Sequence, residues 1–390
     1  MSVLSVVMQW LLLFSLALTV FYLYLISVRH NFNMETNSRH QLLDDNFHGR
    51  SAGKFAGVDE YTRHMTSQFK LKPIAGGVPL KPEFGPVLND VHFRYSINPR
   101  TVTDRCRDDR SLLIVVISAP GNFLYRKLIR RTWVTQLKGI QYAFLIGLTD
   151  QSTVQQGIRN ESSIYEDLIQ VDMVDTYMNL TLKSVALLHW ASKFCPDAPF
   201  IFKCDDDIYI NIRNLAEVIQ QLPPKIPRVY GTSVSNLKPL RPKELGSSSQ
   251  PADDSDKWII DRQLWPWSTY PTYVSGGCYL IDSSAIGPLL AAAQTTPYFP
   301  FEDLYINGLC ARKAEVQVLA SDLMLGSITD VSEDLLDEDF WLVANFVTWL
   351  TSSIDEMAAS HLATELYFNS NFKLNNNSLF NWTVTFNGII

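Results

Sequence analysis

Apolar and polar positions alternate in blocks along most of the chain. Two continuous apolar runs, residues 111–118 (SLLIVVIS) and 141–149 (QYAFLIGLT), are typical of strands buried on both faces of a sheet, as is the shorter run at residues 200–202. Residues 124–137 and 181–194 carry apolar side chains at helical spacing. This alternation predicts an α/β fold with a mostly parallel sheet and helices on both faces.

The N-terminal region has a different pattern. Residues 3–28 contain no formal charge and would span about 39 Å as a helix, enough to cross a bilayer. We therefore predict a transmembrane signal anchor at residues 1–28. Residues 29–105 are polar, with scattered Gly and Pro, and are predicted to be a stem before a folded domain at residues 106–390.

Charge and cysteine content restrict the class of protein. The net charge of -7 argues against nucleic acid as a partner. Five cysteines are compatible with one or two disulfides in a lumenal domain, and their spacing fits no zinc pattern. However, basic residues follow the anchor, and the positive-inside rule alone would place the domain in the cytosol. Four N-glycosylation sequons favour the lumen, at Asn160, Asn179, Asn376 and Asn381.

The strongest chemical signal is an acidic triplet, Asp205, Asp206 and Asp207, directly after the apolar run at 200–202. Adjacent ionised carboxylates are costly unless a cation lies among them, and oxygen ligands favour Mg²⁺ or Mn²⁺. Strand ends are also where ligands bind in open α/β sheets. The alternative is a solvated acidic turn, which fits poorly with the apolar residues on both sides.

A second acidic pair, Glu302 and Asp303, begins a predicted helix, where the helix dipole favours negative charge. Between the two acidic sites, residues 258–282 are rich in aromatic side chains. Aromatic faces can stack on sugar rings, but they more often fill a hydrophobic core.

Five motifs in chain order resemble the β-1,3-galactosyltransferase family. Each is weak alone, but together they cover about 200 residues. They are RKLIRRTW (Arg126–Trp133), EDLIQVDMVDTYMNLTLKS (Glu166–Ser184), KCDDDIYIN (Lys203–Asn211), YPTYVSGGCYLI (Tyr270–Ile281) and FEDLYINGLC (Phe301–Cys310).

The resemblance implies a GT-A-type, Rossmann-like glycosyltransferase in a type II Golgi membrane protein with a lumenal catalytic domain. It also implies inverting transfer from UDP-galactose or UDP-N-acetylglucosamine to the 3-hydroxyl of an acceptor glycan on lipid or protein. Galactose is the favoured sugar. The alternatives are an N-acetylglucosaminyltransferase and an inactive, membrane-tethered sugar-binding relative.

The resemblance also assigns roles to the acidic residues. Asp205 and Asp207 would hold Mn²⁺ or Mg²⁺, which stabilises departing UDP. Asp206 would face the sugar or ribose of the donor. Asp303 would be the base that an inverting displacement requires, and Glu302 would orient it.

The remaining candidates surround these acids. Arg126, Arg130 and Lys183 offer cations suited to a nucleotide diphosphate, with solvated helix faces as the alternative. Asp172 would bind the nucleotide or have a structural role.

On the acceptor side, Tyr270, Tyr273 and Gly276 would shape the pocket. The residues between Asp303 and Leu350 contain no histidine. The last metal ligand would therefore be His361, Asp322 or a water molecule.

Overall fold

The computed structural model describes residues 53–106, 112–137, 139–222, 225–242, 257–321, 323–324 and 342–369. The predicted anchor, Asn376, Asn381 and Asp322 lie outside these described residues. Among the helices within them, none is both long and apolar enough to cross a membrane.

The main sheet has eight strands in the order β1-β4-β3-β2-β5-β8-β7-β9. Strands β4, β3, β2 and β5 are parallel, β8 runs antiparallel between β5 and β7, and β1 joins the edge antiparallel to β4. The strands are β1 Tyr95–Ile97, β2 Leu113–Ile117, β3 Gln141–Leu148, β4 Leu168–Val174, β5 Phe200–Asp205, β7 Arg228–Val234, β8 Tyr273–Asp282 and β9 Gln317–Ala320.

A short antiparallel ribbon continues the chain beyond the end of β5. It pairs β6 (Ile208–Ile210) with β10 (Thr348–Leu350). The backbone N–H of Thr351 donates to the carbonyl oxygen of Asp207 at 2.8 Å, so this ribbon fixes the backbone of the acidic triplet.

Helices cover both faces of the sheet, and this confirms the predicted α/β layering. All five residues of β2 are buried, because alternate side chains enter two separate hydrophobic cores. The helices are α1 Val58–Gln68, α2 Arg100–Arg105, α3 Phe123–Arg131, α4 Ser152–Tyr165, α5 Leu180–Phe194, α6 Ile212–Gln221, α7 Ser283–Thr295, α8 Ala311–Lys313 and α9 Ile354–Asn369, with a π-helical segment at Leu304–Cys310.

Residues 54–105 differ from the spacer predicted for them, because they pack into the same compact unit as the sheet. Tyr61 of α1 is fully buried, and its hydroxyl donates to the carbonyl oxygens of Pro297 and Tyr298, both at 3.1 Å. Apolar residues of α1 join one of the two cores. The compact unit therefore begins about fifty residues earlier than the predicted boundary at 106.

One disulfide is present among the described cysteines, between Cys106 and Cys195. It joins the segment before β2 to the end of α5, which tethers the N-terminal packing layer to the sheet. Cys204, Cys278 and Cys310 are buried free thiols. The prediction of one or two disulfides with at least one spare thiol is therefore confirmed for the described residues.

Candidate active site

The acidic triplet lies at the carboxyl end of a central strand. Asp205 is the last residue of β5, and Asp206 and Asp207 form the turn into β6. All three are partly buried, and the Asp205 side chain is 32% exposed. The strand end therefore presents three carboxylates in a sheltered position, as the sequence predicts.

Asp206 is anchored to the turn after β2. The Ser118 hydroxyl donates to its Oδ2 at 2.6 Å, and the Asn122 amide donates to the same oxygen at 2.9 Å. Burial raises the pKa of Asp206, and these two hydrogen bonds oppose that shift. One side chain thus joins the carboxyl ends of β2 and β5, which are neighbours in the sheet.

Lys203 connects the acidic triplet to the Glu302–Asp303 pair. Its fully buried ammonium lies 2.7 Å from Asp205 Oδ1 and 3.8 Å from Glu302 Oε2, and it donates to the carbonyl oxygen of Gly276. Burial opposes its charge, but Asp205 and Glu302 more than offset that effect and raise the pKa of Lys203. One buried cation therefore holds both acidic groups at the same site.

The Glu302 carboxylate is buried and incompletely bonded. The Tyr279 hydroxyl donates to its Oε1 at 2.5 Å. No hydrogen-bond partner within the described structure reaches its Oε2. A buried carboxylate oxygen with no donor is costly, and functional sites are where such groups persist.

Asp303 is held in place by backbone N–H groups. Leu304 N–H donates to its Oδ1 at 2.8 Å, because Asp303 caps the π-helical segment that follows. Gly276 N–H donates to its Oδ2 at 3.1 Å. A Cβ added to Gly276 would lie 3.1 Å from Glu302 Oε2 and 3.3 Å from Asp303 Cβ, so only glycine fits without displacement.

Two of these acids have strongly perturbed pKa values. Burial, followed by the charge of Glu302, raises the pKa of Asp303 to about 6. Burial, followed by Asp205 and Asp206, raises the pKa of Asp207 to about 6. Acids with raised pKa values in a sheltered site are typical of catalytic centres.

The site suits a hard divalent cation by its chemistry. Within the described residues, no three His, Cys, Asp or Glu side chains converge on one point that would suit a metal ion. The triplet nevertheless offers only carboxylate oxygens, and mutual repulsion contributes to the raised pKa of Asp207. Mg²⁺ and Mn²⁺ prefer such ligands and would relieve that repulsion, so Asp205 and Asp207 fit this role.

Arg126 and Arg130 lie in buried ion pairs instead of on solvated helix faces. Arg126 contacts both carboxylate oxygens of Glu161, and its Nη1 donates to Ser118 Oγ at 3.0 Å. Arg130 forms a two-pronged pair with Asp167, at 2.7 and 2.8 Å. Arg126 thus orients the serine that binds Asp206. The nucleotide contact predicted for both arginines stays a prediction.

Lys183 is likewise buried and paired. Its ammonium lies 2.6 Å from Asp175 Oδ2 and donates to the carbonyl oxygen of Ser118 at 3.0 Å. Burial lowers its pKa despite the charge of Asp175. Asp172, in contrast, is exposed near the end of β4. The structure thus brings Lys183 beside the turn that binds Asp206, whereas it leaves Asp172 on the surface.

Tyr270 and Tyr273 are buried, at 6% and 7% exposure. Tyr270 packs against Trp265, with ring centres 5.0 Å apart, so it belongs to the aromatic core beneath the site. His361 lies on α9, where its Nδ1 is 3.1 Å from the Tyr209 hydroxyl. The metal-ligand role of His361 and the acceptor roles of the two tyrosines stay predictions.

Two of the four sequons lie in the described residues. Asn160 is exposed on α4. Asn179 is partly buried, its amide donates to the Val174 carbonyl at 2.9 Å, and the hydroxyl of its sequon partner Thr181 is buried against Phe299. Asn160 is therefore the more accessible of the two for a glycan.

Several residues of the site escape prediction from sequence. Ser118 and Asn122 follow an apolar strand as ordinary turn residues, and Tyr279 is one aromatic among many. Their place in the chain could have indicated a role, because Ser118 directly follows β2 and Asp205 ends β5. These two strands are parallel neighbours, so their carboxyl ends lie together.

Comparison with known proteins gives one consistent result. The family model described as galactosyltransferase matches residues 125–322, more than half of the chain. The UDP-GlcNAc:betaGal beta-1,3-N-acetylglucosaminyltransferase 7 of Rattus norvegicus is 31% identical over 242 residues, 59% of this chain and 58% of that protein. The beta-1,3-galactosyltransferase 1 of Mus musculus is 32% identical over 232 residues, 58% of this chain and 67% of that protein.

The chain thus spans less than two thirds of the rat protein's length. Among solved structures, the galactosyltransferase LgtC in complex with donor and acceptor sugar analogues matches with a TM-score of 0.32 and 9% identity. That match covers 64% of this chain and 96% of the other.

Proposed function

Because the chain belongs to the galactosyltransferase family, we propose that it transfers a hexose from a UDP-sugar to the 3-hydroxyl of an acceptor glycan with inversion. The product would carry a β-1,3 linkage. UDP-galactose is the leading donor. UDP-N-acetylglucosamine is the second candidate, since similar relatives are named for each of the two sugars.

One observation carries this proposal: two groups of carboxylates meet at one strand end through Lys203 and Gly276. An inverting displacement needs stabilisation of the leaving group on one side of the sugar and a base on the other. The triplet supports the first role, and Asp303 supports the second.

In the transfer step one bond forms, one bond breaks and one proton moves to Asp303. The acceptor oxygen O3 forms a bond to C1 of the donor sugar while the bond from C1 to the UDP oxygen breaks. Asp303 takes the hydroxyl proton, and a carboxylate with a pKa of about 6 is ionised near neutral pH and ready to accept it. The backbone N–H groups of Gly276 and Leu304 hold the carboxylate in position during this change.

Asp205 and Asp207 would hold a divalent ion, Mn²⁺ or Mg²⁺, which supplies Lewis-acid stabilisation for the diphosphate. Lys203 keeps Asp205 oriented, and Ser118 and Asn122 hold the Asp206 carboxylate in a fixed orientation. Preorganised side chains of this kind lower the cost of reorganisation during reaction.

A donor screen tests the proposal. The compact unit, residues 54–390, is incubated with MnCl₂, a β-galactoside or β-N-acetylglucosaminide acceptor, and either UDP-galactose or UDP-N-acetylglucosamine. We expect UDP release and a β-1,3-linked product with one donor, and a loss of about 10²–10⁴-fold in Asp303→Asn.

Sugar binding without turnover in any combination would support the inactive sugar-binding alternative instead. A rate unchanged in Asp303→Asn would contradict the assignment of the base. The control is Asp197→Asn, an exposed aspartate in the turn before β5, at the opposite end of that strand from the triplet.

We also place the protein, as part of the same proposal, in the Golgi membrane with its catalytic domain in the lumen. The uncharged segment at residues 3–28 and the exposed sequon at Asn160 support this location. Treatment with an N-glycosidase is expected to increase gel mobility of the expressed protein. Unchanged mobility would support a cytosolic orientation.

A further inference from the structure

Two exposed aromatic side chains, Tyr177 and Trp258, lie side by side on the surface. Each is 47% exposed. The Trp258 indole N–H donates to the Tyr177 hydroxyl at 3.0 Å, although 81 residues separate them in the chain. The hydrogen bond fixes the two rings as one pair, hereafter the aromatic rim.

Exposure of a tryptophan is unusual in this protein. The described residues contain six tryptophans, and apart from Trp258 every one of them is at least 93% buried. An exposed indole ring offers a ligand a flat apolar face together with a polar N–H group. Core packing accounts for the other five but leaves Trp258 unexplained.

The aromatic rim lies at the same end of the sheet as the candidate catalytic acids. Tyr177 begins the turn Tyr177–Asn179, which follows the carboxyl end of β4, and the triplet lies at the carboxyl end of the parallel strand β5. Burial raises the pKa of Tyr177, and among nearby charges Asp303 has the largest raising effect, followed by Asp205 and Glu302. The rim and the proposed base also lie at the same end of the sheet, since Asp303 accepts from Gly276 of β8, beside the carboxyl end of β5.

The Tyr177 side of the rim is preorganised. Thr176 caps its turn by accepting from the Asn179 N–H, and the Asn179 side chain donates to the Val174 carbonyl at 2.9 Å. The Tyr298 hydroxyl donates to the carbonyl oxygen of Met178. A rigid aromatic surface loses little conformational entropy when it binds a ligand.

A cation lies against the same two rings. The Lys257 ammonium is 4.9 Å from the centre of the Trp258 ring and 5.5 Å from that of Tyr177. The ammonium can donate hydrogen bonds to hydroxyl groups of a ligand bound at these rings. The rim thus combines a flat apolar face with polar donors, which is the chemistry that a pyranose ring requires.

We propose that Tyr177 and Trp258 bind the acceptor sugar, with the C–H face of a terminal hexopyranose stacked on the indole ring. This inference rests on the proposed function and identifies the acceptor side of that site. The aromatic residues singled out from the sequence for this task, Tyr270 and Tyr273, are buried and present no open ring face.

Steady-state kinetics of Trp258→Ala and Trp258→Phe test the inference. We expect the acceptor KM to rise about tenfold in Trp258→Ala, as for loss of one aromatic binding contact, and about twofold in Trp258→Phe. The KM for the UDP-sugar and the slow release of UDP without acceptor should not change. Phe69→Ala, another exposed aromatic outside the site, is the matched control.

A rise in the UDP-sugar KM instead of the acceptor KM would overturn the inference, since the ring would then serve the donor. An unchanged acceptor KM in Trp258→Ala would overturn it as well.

Direct binding separates this inference from the proposed function. Methyl β-galactoside and methyl β-N-acetylglucosaminide are each titrated into the protein, and saturation-transfer NMR reports binding without any turnover. One of the two sugars is expected to bind the parent protein and to lose its signal in Trp258→Ala but not in Phe69→Ala. Binding unchanged in Trp258→Ala, or no binding of either sugar to the parent protein, would reject the rim, whereas binding without UDP release would reject only the transferase activity.

Discussion

Two groups of largely buried charges contain the candidate site residues, and their balance of positive and negative charge differs. In the first, Arg126 and Arg130 face Glu161 and Asp167, two cations against two anions at 2.7–3.2 Å. The second group has one cation, Lys203, which contacts Asp205 and Glu302. Its five carboxylates are those of Asp205, Asp206, Asp207, Glu302 and Asp303. The charges of the first group balance, whereas the second group has an excess of negative charge.

The difference separates stability from function. A compensated group needs no ligand to balance its charge, so its partners hold each other in place. An acidic group with unpaired oxygens and raised pKa values lowers stability until a cation or substrate enters, and proteins tolerate that cost at active sites. Both groups contain residues of the family-like motifs, so sequence resemblance alone does not distinguish them.

The largest expected effect comes from removing the cation of the acidic group. Lys203→Met leaves Glu302 buried without a positive partner, and the free energy of unfolding should fall by about 3–5 kcal/mol. Urea titration followed by fluorescence measures this change. The transfer rate should fall with it, because Asp205 and Gly276 lose their shared contact.

The double variant Lys203→Met/Glu302→Gln identifies the cause. If the loss reflects an unpaired carboxylate, the second substitution should restore much of the stability but not the activity. A double variant as unstable as the single one would show that packing, not charge, is what Lys203 supplies.

A substitution in the balanced group should lower stability without changing donor binding. Arg130→Met breaks the pair with Asp167 and is expected to reduce the free energy of unfolding by about 3 kcal/mol. The KM for the UDP-sugar should stay within about twofold, since the guanidinium is enclosed by its partners. Thermal unfolding and donor kinetics measure the two effects.

Its matched control is Arg131→Met, the exposed neighbour on the same helix, for which neither quantity should change. A large rise in donor KM in Arg130→Met alone would instead support the nucleotide contact that the sequence predicts.

Activity should depend on the protonation of Asp303. With donor and Mn²⁺ saturating, kcat/KM for the acceptor should fall about tenfold per pH unit below pH 6, because the base then carries a proton. The residual rate of Asp303→Asn should lack this dependence on Asp303. A profile of the same shape in both proteins would assign the titration to another group.

The raised pKa of Asp303 also makes the stability of the protein depend on pH. Asp303 titrates at about 6 in the native state, against 3.8 for an ordinary aspartate, so the native state binds more protons between these values. Stability therefore decreases as pH rises from about 4 to 6 through this group. Urea titrations across that range measure the slope.

The smallest expected effect concerns the contact between Gly276 and the acids. Gly276→Ala would displace Glu302 or Asp303 by a few tenths of an ångström, and we expect kcat to fall about tenfold with little change in stability. Gly287→Ala is the control, because nothing lies within 4 Å of its added Cβ. An unchanged kcat in Gly276→Ala would show that the acids tolerate displacement.

Local sequence patterns predict the central strands and the acidic strand end. The continuous apolar runs at β2 and β3 and the triplet after β5 lie where the pattern predicts them, because burial on both faces and strand-end chemistry are encoded locally. The packing of α1 is not predicted, since Val58, Tyr61 and Met65 are few apolar residues in a region rich in Gly and Pro.

Pairings between distant segments are also beyond local patterns. Arg126 meets Glu161 from 35 residues away, Lys203 meets Glu302 from 99, and Trp258 meets Tyr177 from 81. Isolated arginines and lysines are usually solvated, and only the folded topology gives Arg126 and Lys203 their buried partners. This is why the sequence suggests nucleotide contacts for Arg126 and Arg130, whereas the structure encloses both in ion pairs.

Calorimetric titration of UDP in the presence and absence of MnCl₂ tests most directly whether the excess acids form a metal-nucleotide site. We predict that UDP binds the parent protein at least about tenfold more tightly with Mn²⁺, and that Asp205→Asn and Asp207→Asn remove this difference. Equal UDP affinity with and without the metal, unchanged in both variants, would contradict the account.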